Sequence, residues 1–393
     1  MRRLRILQIF NRYLHFGGEE SSVFRIGDAL QADHEVEYFF GSTRDFMGPG
    51  GIRCLTAPVR AFHDSTVAAK LRRYQEVGRF DLWQVHNIFP GLSPSVYQTA
   101  FALQVPIVHY LHNYRFGCVN GSWINHGRLC QRCLGGNLWP AFTTACWHDS
   151  RWVSGWQALI LLYLRHLNVR QRVARWIALS EAQKKLHLAM GFPSERITVI
   201  PHFYEVQSPP PPPAPTGAIL FLARLSPEKG GAELLQAWQR WSSPDRDLWI
   251  AGSGPEEARL RKMAAPLPRV QFLGFLDAEA KDRAWPGSAM AVIPSLVPET
   301  FGLIVLEAWA RQRPVIAYRI GALAETIDDG VNGLLVNPGD SAGLARAMQS
   351  LSRNPARMVE MGRAGHQKLL SLFNRRSWLS QIEHLYDVTL QKK

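Results

Sequence analysis

The sequence predicts two α/β domains in series, each built on a doubly wound parallel sheet. Three observations carry this. Short apolar runs of strand length alternate with helical patterns; a proline run at 208–217 interrupts the alternation, which then starts again; and 393 residues is the length of two ordinary domains. With 46% apolar and 20% charged residues, the composition is globular, not disordered.

RILQIF (5–10) reads as the first buried strand, ended by a loop that holds Gly17 and Gly18. Helical spacing follows from Ser21 to Ala32. HEVEYFFG (34–41), FDLWQVHN (80–87), PIVHYLHN (106–113) and RWIALS (175–180) are further strands. SPPPPPAPTG (208–217) can join neither a helix nor a central strand and favours an extended conformation. It is a linker or rim loop, or a proline-rich site for a partner. The strands resume with AILFLARL (218–225), DLWIAGSG (247–254), VQFLGFL (270–276), AMAVIPS (289–295) and RPVIAY (313–318). SWLSQIEHLYDVTL (377–390) is an amphipathic helix. The expected units are residues 1–207, the linker 208–217, residues 218–376, and a final segment 377–393 packing back on the first domain. Two Rossmann-like domains would then face a central cleft, the natural place for a ligand.

The formal charge is +13, of which +9 falls before Pro209 and +4 after it. That excess suits an anionic partner such as a membrane face or a phosphorylated lipid carrier; a plainly basic soluble surface explains it as well. Nucleic-acid binding would rest on charge alone, since no recognised module is present. The basic opening RRLRILQIF stops at Asn11 and Arg12, too soon for a secretory signal. The longest apolar run, WQALILLYL (156–164), is about half of the ~20 residues a membrane span needs. A cytoplasmic protein is expected, with peripheral membrane contact as a variant. The stretch 156–176, read as a helix, could lie on a membrane interface or pack inside its domain.

The chemistry concentrates in VPETFGLIVLEAWAR (297–311). Two glutamates, Glu299 and Glu307, stand among apolar residues. Pro298 disfavours helix before Glu299, and helical spacing begins at Gly302. Glu299 is therefore expected in the entering loop and Glu307 in the second turn. The backbone N–H groups of Thr300, Phe301, Gly302 and Leu303 are left pointing out of the helix N-terminus, which suits a phosphate. Glu299 can accept from sugar hydroxyls and Glu307 from a ribose diol. The plainer reading is one glutamate favoured by the helix dipole and one solvated. In ARLSPEKGG (223–231), Arg224 and Lys229 sit five apart at a strand–loop–helix junction, placed to clamp a diphosphate. FGGEE (16–20) is glycine-rich but short of a dinucleotide fingerprint.

Taken in order, Gly17–Gly18, VHN (85–87), LHN (111–113), SEAQ (180–183), IPHF (200–203), ARLSPEKG, AGSGP (251–255), FLGF (272–275), the E-x7-E pair, GALAE (321–325) and DGVNGLLVNPGD (329–340) resemble the retaining glycosyltransferases of the GT-B fold, family 4, over nearly the whole chain. The resemblance implies a C-terminal domain that binds a nucleotide-sugar donor and an N-terminal domain that receives a glycan or lipid-linked glycan acceptor. Arg224 and Lys229 would neutralise the diphosphate, Glu307 hold the ribose and Glu299 the donor sugar. Amides of Thr300, Phe301, Gly302 and Leu303 would meet sugar and phosphate, Phe275 pack near the base, Gly17 and Gly18 approach the phosphates, and His112 face the sugar. No catalytic metal is expected. A soluble acceptor, or a non-catalytic nucleotide-sugar-binding relative, stays open as an alternative.

Cys54 stands apart, while Cys118, Cys130, Cys133 and Cys146 fall within a glycine-rich insert at 117–148. They read as a structural, non-catalytic zinc site, as packed free thiols, or as a redox pair. A cysteine-bearing insert of this kind resembles a subgroup of these transferases associated with surface polysaccharides.

Overall fold

Ile6, Leu7, Ile9 and Phe10 are all fully buried, so RILQIF has no solvent face and must lie at the centre of a sheet covered on both sides. The computed structural model describes residues 2–13, 17–44, 57–206, 217–241 and 244–391. Most of the proline run (208–216), Phe16 of FGGEE and Cys54 lie outside them. In the first domain β1 (Arg5–Arg12) runs parallel between β2 (Glu35–Ser42) and β3 (Leu82–Asn87). Then come β4 (Ile107–Tyr110), a two-residue antiparallel hairpin of β5 (Ile124–Asn125) and β6 (Arg128–Leu129), β7 (Arg175–Ala178) and β8 (Ile197–Val199). The sheet order is β2-β1-β3-β4-β7-β8, all parallel.

The second domain repeats the plan with β9 (Ala218–Leu222), β10 (Leu248–Ala251), β11 (Val270–Gly274), β12 (Ser288–Ile293), β13 (Val315–Tyr318) and β14 (Gly333–Val336), ordered β11-β10-β9-β12-β13-β14. β9 and β12 are parallel neighbours at which the strand order reverses, and the loops leaving these two strands carry Arg224–Lys229 and Pro294–Glu299. A crevice at that switch point is where such a sheet binds ligands.

Two helix starts differ from the sequence expectation. The first helix is Gly18–Leu30, beginning ahead of Ser21, because Glu19 and Glu20 suit the positive end of the dipole and Ser22 Oγ donates to the Gly18 carbonyl at 2.7 Å. The last helix is Arg375–Leu390, capped by Asn374 Oδ1 accepting from the Ser377 N–H at 2.8 Å. This last helix lies against the first domain: Trp378 packs on Phe203 at 4.8 Å between ring centres, and Arg375 Nη2 donates to the Ala29 carbonyl at 3.1 Å. One apolar cluster consequently joins Ile26 and Leu30 of the first domain, Phe301, Val305 and Leu306 of the second, and Ile382 and Tyr386 of the last helix.

The Leu303–Ala310 helix is fixed from behind by the Pro355–Leu372 helix. Gly365 faces Trp309 so closely that a Cβ there would lie 2.2 Å from Trp309 Cδ1, and Trp309 is itself fully buried with its Nε1 donating to the Asn332 carbonyl at 3.1 Å. Gly→Ala in an exposed helix stabilises by ~0.5–1 kcal/mol. Overpacking here reverses the sign, at a cost of ~1–3 kcal/mol. We expect Gly365→Ala to lower the melting temperature; a rise would mean that the indole is free to shift.

Candidate active site

Burial sets the terms at the E-x7-E segment. Val305, Leu306, Ala308 and Trp309 are buried, leaving the Leu303–Ala310 helix little freedom except at its N-terminus. Gly302 caps it at φ +88, a left-handed conformation that favours glycine. Glu299 stands in the entering loop and Glu307 in the second helical turn. The two carboxylates have separate partners. Glu299 Oε1 accepts from Lys229 Nζ at 2.6 Å and from Ser295 Oγ at 2.6 Å. Glu307 faces Lys281 Nζ at 3.4 and 3.5 Å. Both glutamate side chains are only 14% exposed.

The loop 223–230 reaches Glu299 because the chain there passes very close to the loop after β12. Leu296 N donates to the Glu228 carbonyl at 2.9 Å, and a Cβ on Gly230, at φ +72, would collide with the Pro294 carbonyl. Burial opposes the charge on both members of the Lys229–Glu299 pair. Their mutual attraction outweighs it, holding Glu299 below the usual carboxylate range and Lys229 above the usual ammonium one. Arg224 is exposed beside them, and its positive charge is felt at Lys229. Phe275, just past β11, is 60% exposed.

The first domain closes the other side. Thr300 Oγ1 donates to the His112 carbonyl at 3.3 Å, and Ser180 Oγ donates to the Thr300 carbonyl at 3.0 Å. Gly18 lies near Leu303, a Cβ there falling 3.9 Å from Leu303 Cδ1; Gly17 borders open space. The structure thus brings Gly18, His112, Glu299, Thr300, Leu303 and Lys229 around one crevice.

His112 belongs to a stack that sequence reasoning saw only as separate motifs. Its ring is stacked on His86 (5.1 Å), Tyr110 (5.7 Å) and His202 (5.7 Å), and His202 meets Phe301 edge-on at 5.4 Å. The hydrogen bonds fix a polarity. Gln8 Oε1 can only accept, so His86 Nε2 donates to it at 2.5 Å. His86 Nδ1 is then a lone pair, and His112 Nε2 donates to it at 2.8 Å. That leaves Nδ1 of His112 as the acceptor. Gln84 Nε2 donates to the same Gln8 oxygen at 3.2 Å, and Tyr386 of the last helix donates to Gln84 Oε1. Buried hydrogen bonds therefore run from the last helix to the crevice.

Ser295 and Lys281 were missed from the sequence. Ser295 lies four residues before Glu299, a spacing that gives no signal in a loop; Lys281 sits on a different helix, Ala278–Ala284, which only the fold brings to Glu307. The four cysteines of the insert line one cavity of about 20 Å³ together with Trp123 and Ile124. Burial raises all three of Cys118, Cys133 (to about 12) and Cys146 (to about 11), and Cys118 Sγ donates to Asn120 Oδ1 at 3.0 Å. Among the described residues no group of three or more His, Cys, Asp or Glu side chains is already arranged to hold a metal ion.

A basic pair, a helix N-terminus and two shielded carboxylates between parallel-sheet domains define a two-domain α/β protein with a charged crevice at the sheet's switch point. Comparison with known proteins gives the family. The model of Glycosyltransferase Family 4 matches residues 16–208, and that of Glycosyl transferases group 1 matches residues 216–354. The chain belongs to these family 4 glycosyltransferases of the GT-B fold.

Among curated proteins it is 31% identical over 166 residues to the lipopolysaccharide core biosynthesis glycosyltransferase LpsE of Rhizobium meliloti, covering 42% of this chain and 47% of that one. It is 35% identical over 176 residues to the phosphatidyl-myo-inositol mannosyltransferase of Mycobacterium leprae, covering 43% and 46%. The chain thus spans under half the length of these relatives. Among solved structures, Anabaena HepE in complex with UDP superposes with a TM-score of 0.69 at 18% identity, over 98% of this chain and all of that one. The sucrose-phosphate synthase of Thermosynechococcus elongatus superposes at 0.72 with 20% identity over the whole of both chains. At such identities these two show the shared fold.

The histidine stack makes the protein acid-sensitive. Burial, with neighbouring histidines adding to it, pushes His86, His109 and His202 well below the usual value; burial alone takes His112 to about 3 and, with smaller effects, His187 to about 4. Below about pH 6.5 the unfolded chain binds protons at these sites and the folded one does not, so stability falls with pH by up to ~1.4 kcal/mol per unit for each histidine. The melting temperature should drop between pH 7 and pH 5; an unchanged value would mean that these histidines titrate in the folded protein as they do in the unfolded chain.

Proposed function

We propose that this protein is a retaining glycosyltransferase that moves a sugar from a nucleotide diphosphate donor to a glycan or lipid-linked glycan in polysaccharide or glycoconjugate assembly. The observation that carries the reading is Lys229 and exposed Arg224 standing beside the open N-terminus of the Leu303–Ala310 helix, with Glu299 within 2.6 Å of Lys229. Those cations and N–H groups oppose the charge that grows on a departing diphosphate. Glu299 and His112 Nδ1 both accept hydrogen bonds and would orient the donor sugar; Glu307 would take the ribose diol, and Phe275 the base. Glu299 already has two donors and is no free nucleophile. We therefore assign attack from the face the leaving group departs, with the acceptor proton passing to the diphosphate oxygen. The solved complexes of HepE with UDP and with UDP-glucose support a uridine donor. The names of LpsE and the mannosyltransferase support a surface-glycan acceptor.

UDP should raise the melting temperature selectively over GDP and ADP, because a ligand bound only to the folded state stabilises it. Glu299→Gln and Lys229→Ala should each cut transfer by roughly a hundredfold or more while the circular dichroism stays unchanged. Near-normal transfer by either variant would remove that residue from the chemistry.

For the four-cysteine insert we propose structural zinc, with packed free thiols as the second reading, favoured by the burial that raises Cys118, Cys133 and Cys146. The support for zinc is that all four cysteines line one cavity and that backbone N–H groups of Trp123, Gly121 and Asn120 offer hydrogen bonds to the Cys118 sulfur, partly opposing the burial that raises its pKa. Elemental analysis should find about one zinc per chain; no zinc, with all five cysteines of the chain titrating as thiols, would establish packed free thiols instead.

A further inference from the structure

The Arg151–His166 helix contradicts the simple choice between a buried helix and a surface one. Ser154, Gln157, Ala158, Ile160, Leu161 and Leu164 are buried against the first domain. The opposite face should then be polar. It is not. Trp152 is 82% exposed, Leu159 49%, Leu162 45% and Trp156 38%, and Trp139 of the preceding insert adds another indole at 64%. Their spacing of three and four residues puts the helix members on one face. The rings also touch: Trp139 stacks on Phe142 at 5.1 Å, and Phe142 meets Trp152 at 6.1 Å. A water-soluble chain does not leave such a row uncovered without a partner.

Charge selects the partner. Over residues 117–172 the chain holds six arginines and one acidic residue, Asp149, with no lysine or glutamate. Arg128, Arg132, Arg151 and Arg172 are exposed. A second copy docked on this face through a two-fold axis would set arginines against arginines, which is repulsive. An anionic lipid headgroup layer offers the opposite charge to the arginines and a boundary at which tryptophan is at home. No helix among the described residues is long and apolar enough to cross a membrane, so contact would be from one side.

We propose that the outer face of the Arg151–His166 helix, with Trp139, docks the protein on an anionic bilayer surface. Trp152, Trp156, Leu159 and Leu162 enter the headgroup boundary, and the flanking arginines meet lipid phosphates. The proposal goes beyond the transferase reading and does not depend on it.

The test is flotation of the full-length protein with vesicles of phosphatidylcholine containing 30% phosphatidylglycerol, beside vesicles of phosphatidylcholine alone. No nucleotide or acceptor is present, so failure here leaves the donor site untouched. The protein should float with the anionic vesicles at low salt, several-fold less with the neutral ones, and its tryptophan emission should shift to shorter wavelength. The Trp152→Glu/Leu159→Glu double variant should lose at least tenfold in bound fraction, while its melting temperature and its response to UDP match those of the unaltered chain. Three results would overturn the idea: no flotation of the unaltered chain at low salt; equal flotation of the double variant, which places the contact elsewhere; or a concentration-dependent dimer in light scattering that the double variant abolishes, which makes the face a self-interface. Should that variant unfold, Leu162→Gln alone, a milder change on the same face, is read in the same way.

Discussion

The Leu303–Ala310 helix must aim its unpaired N–H groups into a crevice while almost every other side of it is buried, and the architecture of both domains follows from that demand. A helix of eight residues holds its position poorly by itself. Here Val305 and Leu306 anchor it to the core that both domains share, and Trp309 locks it against the Pro355–Leu372 helix at Gly365. The last helix of the chain returns to the first domain and closes that core around it. The short E-x7-E helix is therefore set by contacts far along the sequence, and its open end is rigid before any ligand arrives.

The crevice's other wall is rigid for a different reason. Histidines 86, 112 and 202 pack face to face under conditions where burial forbids their charge. Three cations this close would repel; three neutral rings stack. Their hydrogen bonds converge on the Gln8 oxygen, from Tyr386 through Gln84 on one side and from His112 through His86 on the other, because an amide oxygen accepts only. The polar path fixes both the tilt and the tautomer of His112. It also ties them to Tyr386, more than 270 residues away in sequence, which explains why a polar thread persists through an otherwise apolar sheet.

The fold was legible because parallel strands buried on both faces leave a plain signature: AILFL, LWIA and SAMAVI are nearly unbroken apolar runs. Glu299, Glu307, Arg224 and Lys229 were legible because they sit at fixed offsets from a strand end or a helix start. Pairing was not. Nothing local joins Lys229 to Glu299 across 70 residues, or Lys281 to Glu307 across 26; the return of β12 beside β9 does that. Nor do VHN, LHN and IPHF announce a stack, since their rings meet only once β3, β4 and the loop after β8 lie side by side. The outer face of the Arg151–His166 helix was half legible. Its composition permitted either burial or contact with an interface, and only the packing showed that one face was used and the other left.

The Lys229–Glu299 pair bears most directly on how such a crevice can act. A carboxylate so little exposed needs a counter-charge, and Lys229 supplies it at 2.6 Å. On the proposed reading, a diphosphate arriving at Arg224 and the helix N-terminus competes with Glu299 for the same ammonium group. Glu299 is left with the Ser295 hydroxyl and one face turned to the crevice, where sugar hydroxyls can replace the donor it loses. Two bound groups, phosphate and sugar, are then required to compensate one broken ion pair. A ligand carrying only one of them leaves a shielded charge unmatched. On that reading the pair would favour intact nucleotide sugar over either fragment, a preference built from two residues that the chain brings together across 70 positions.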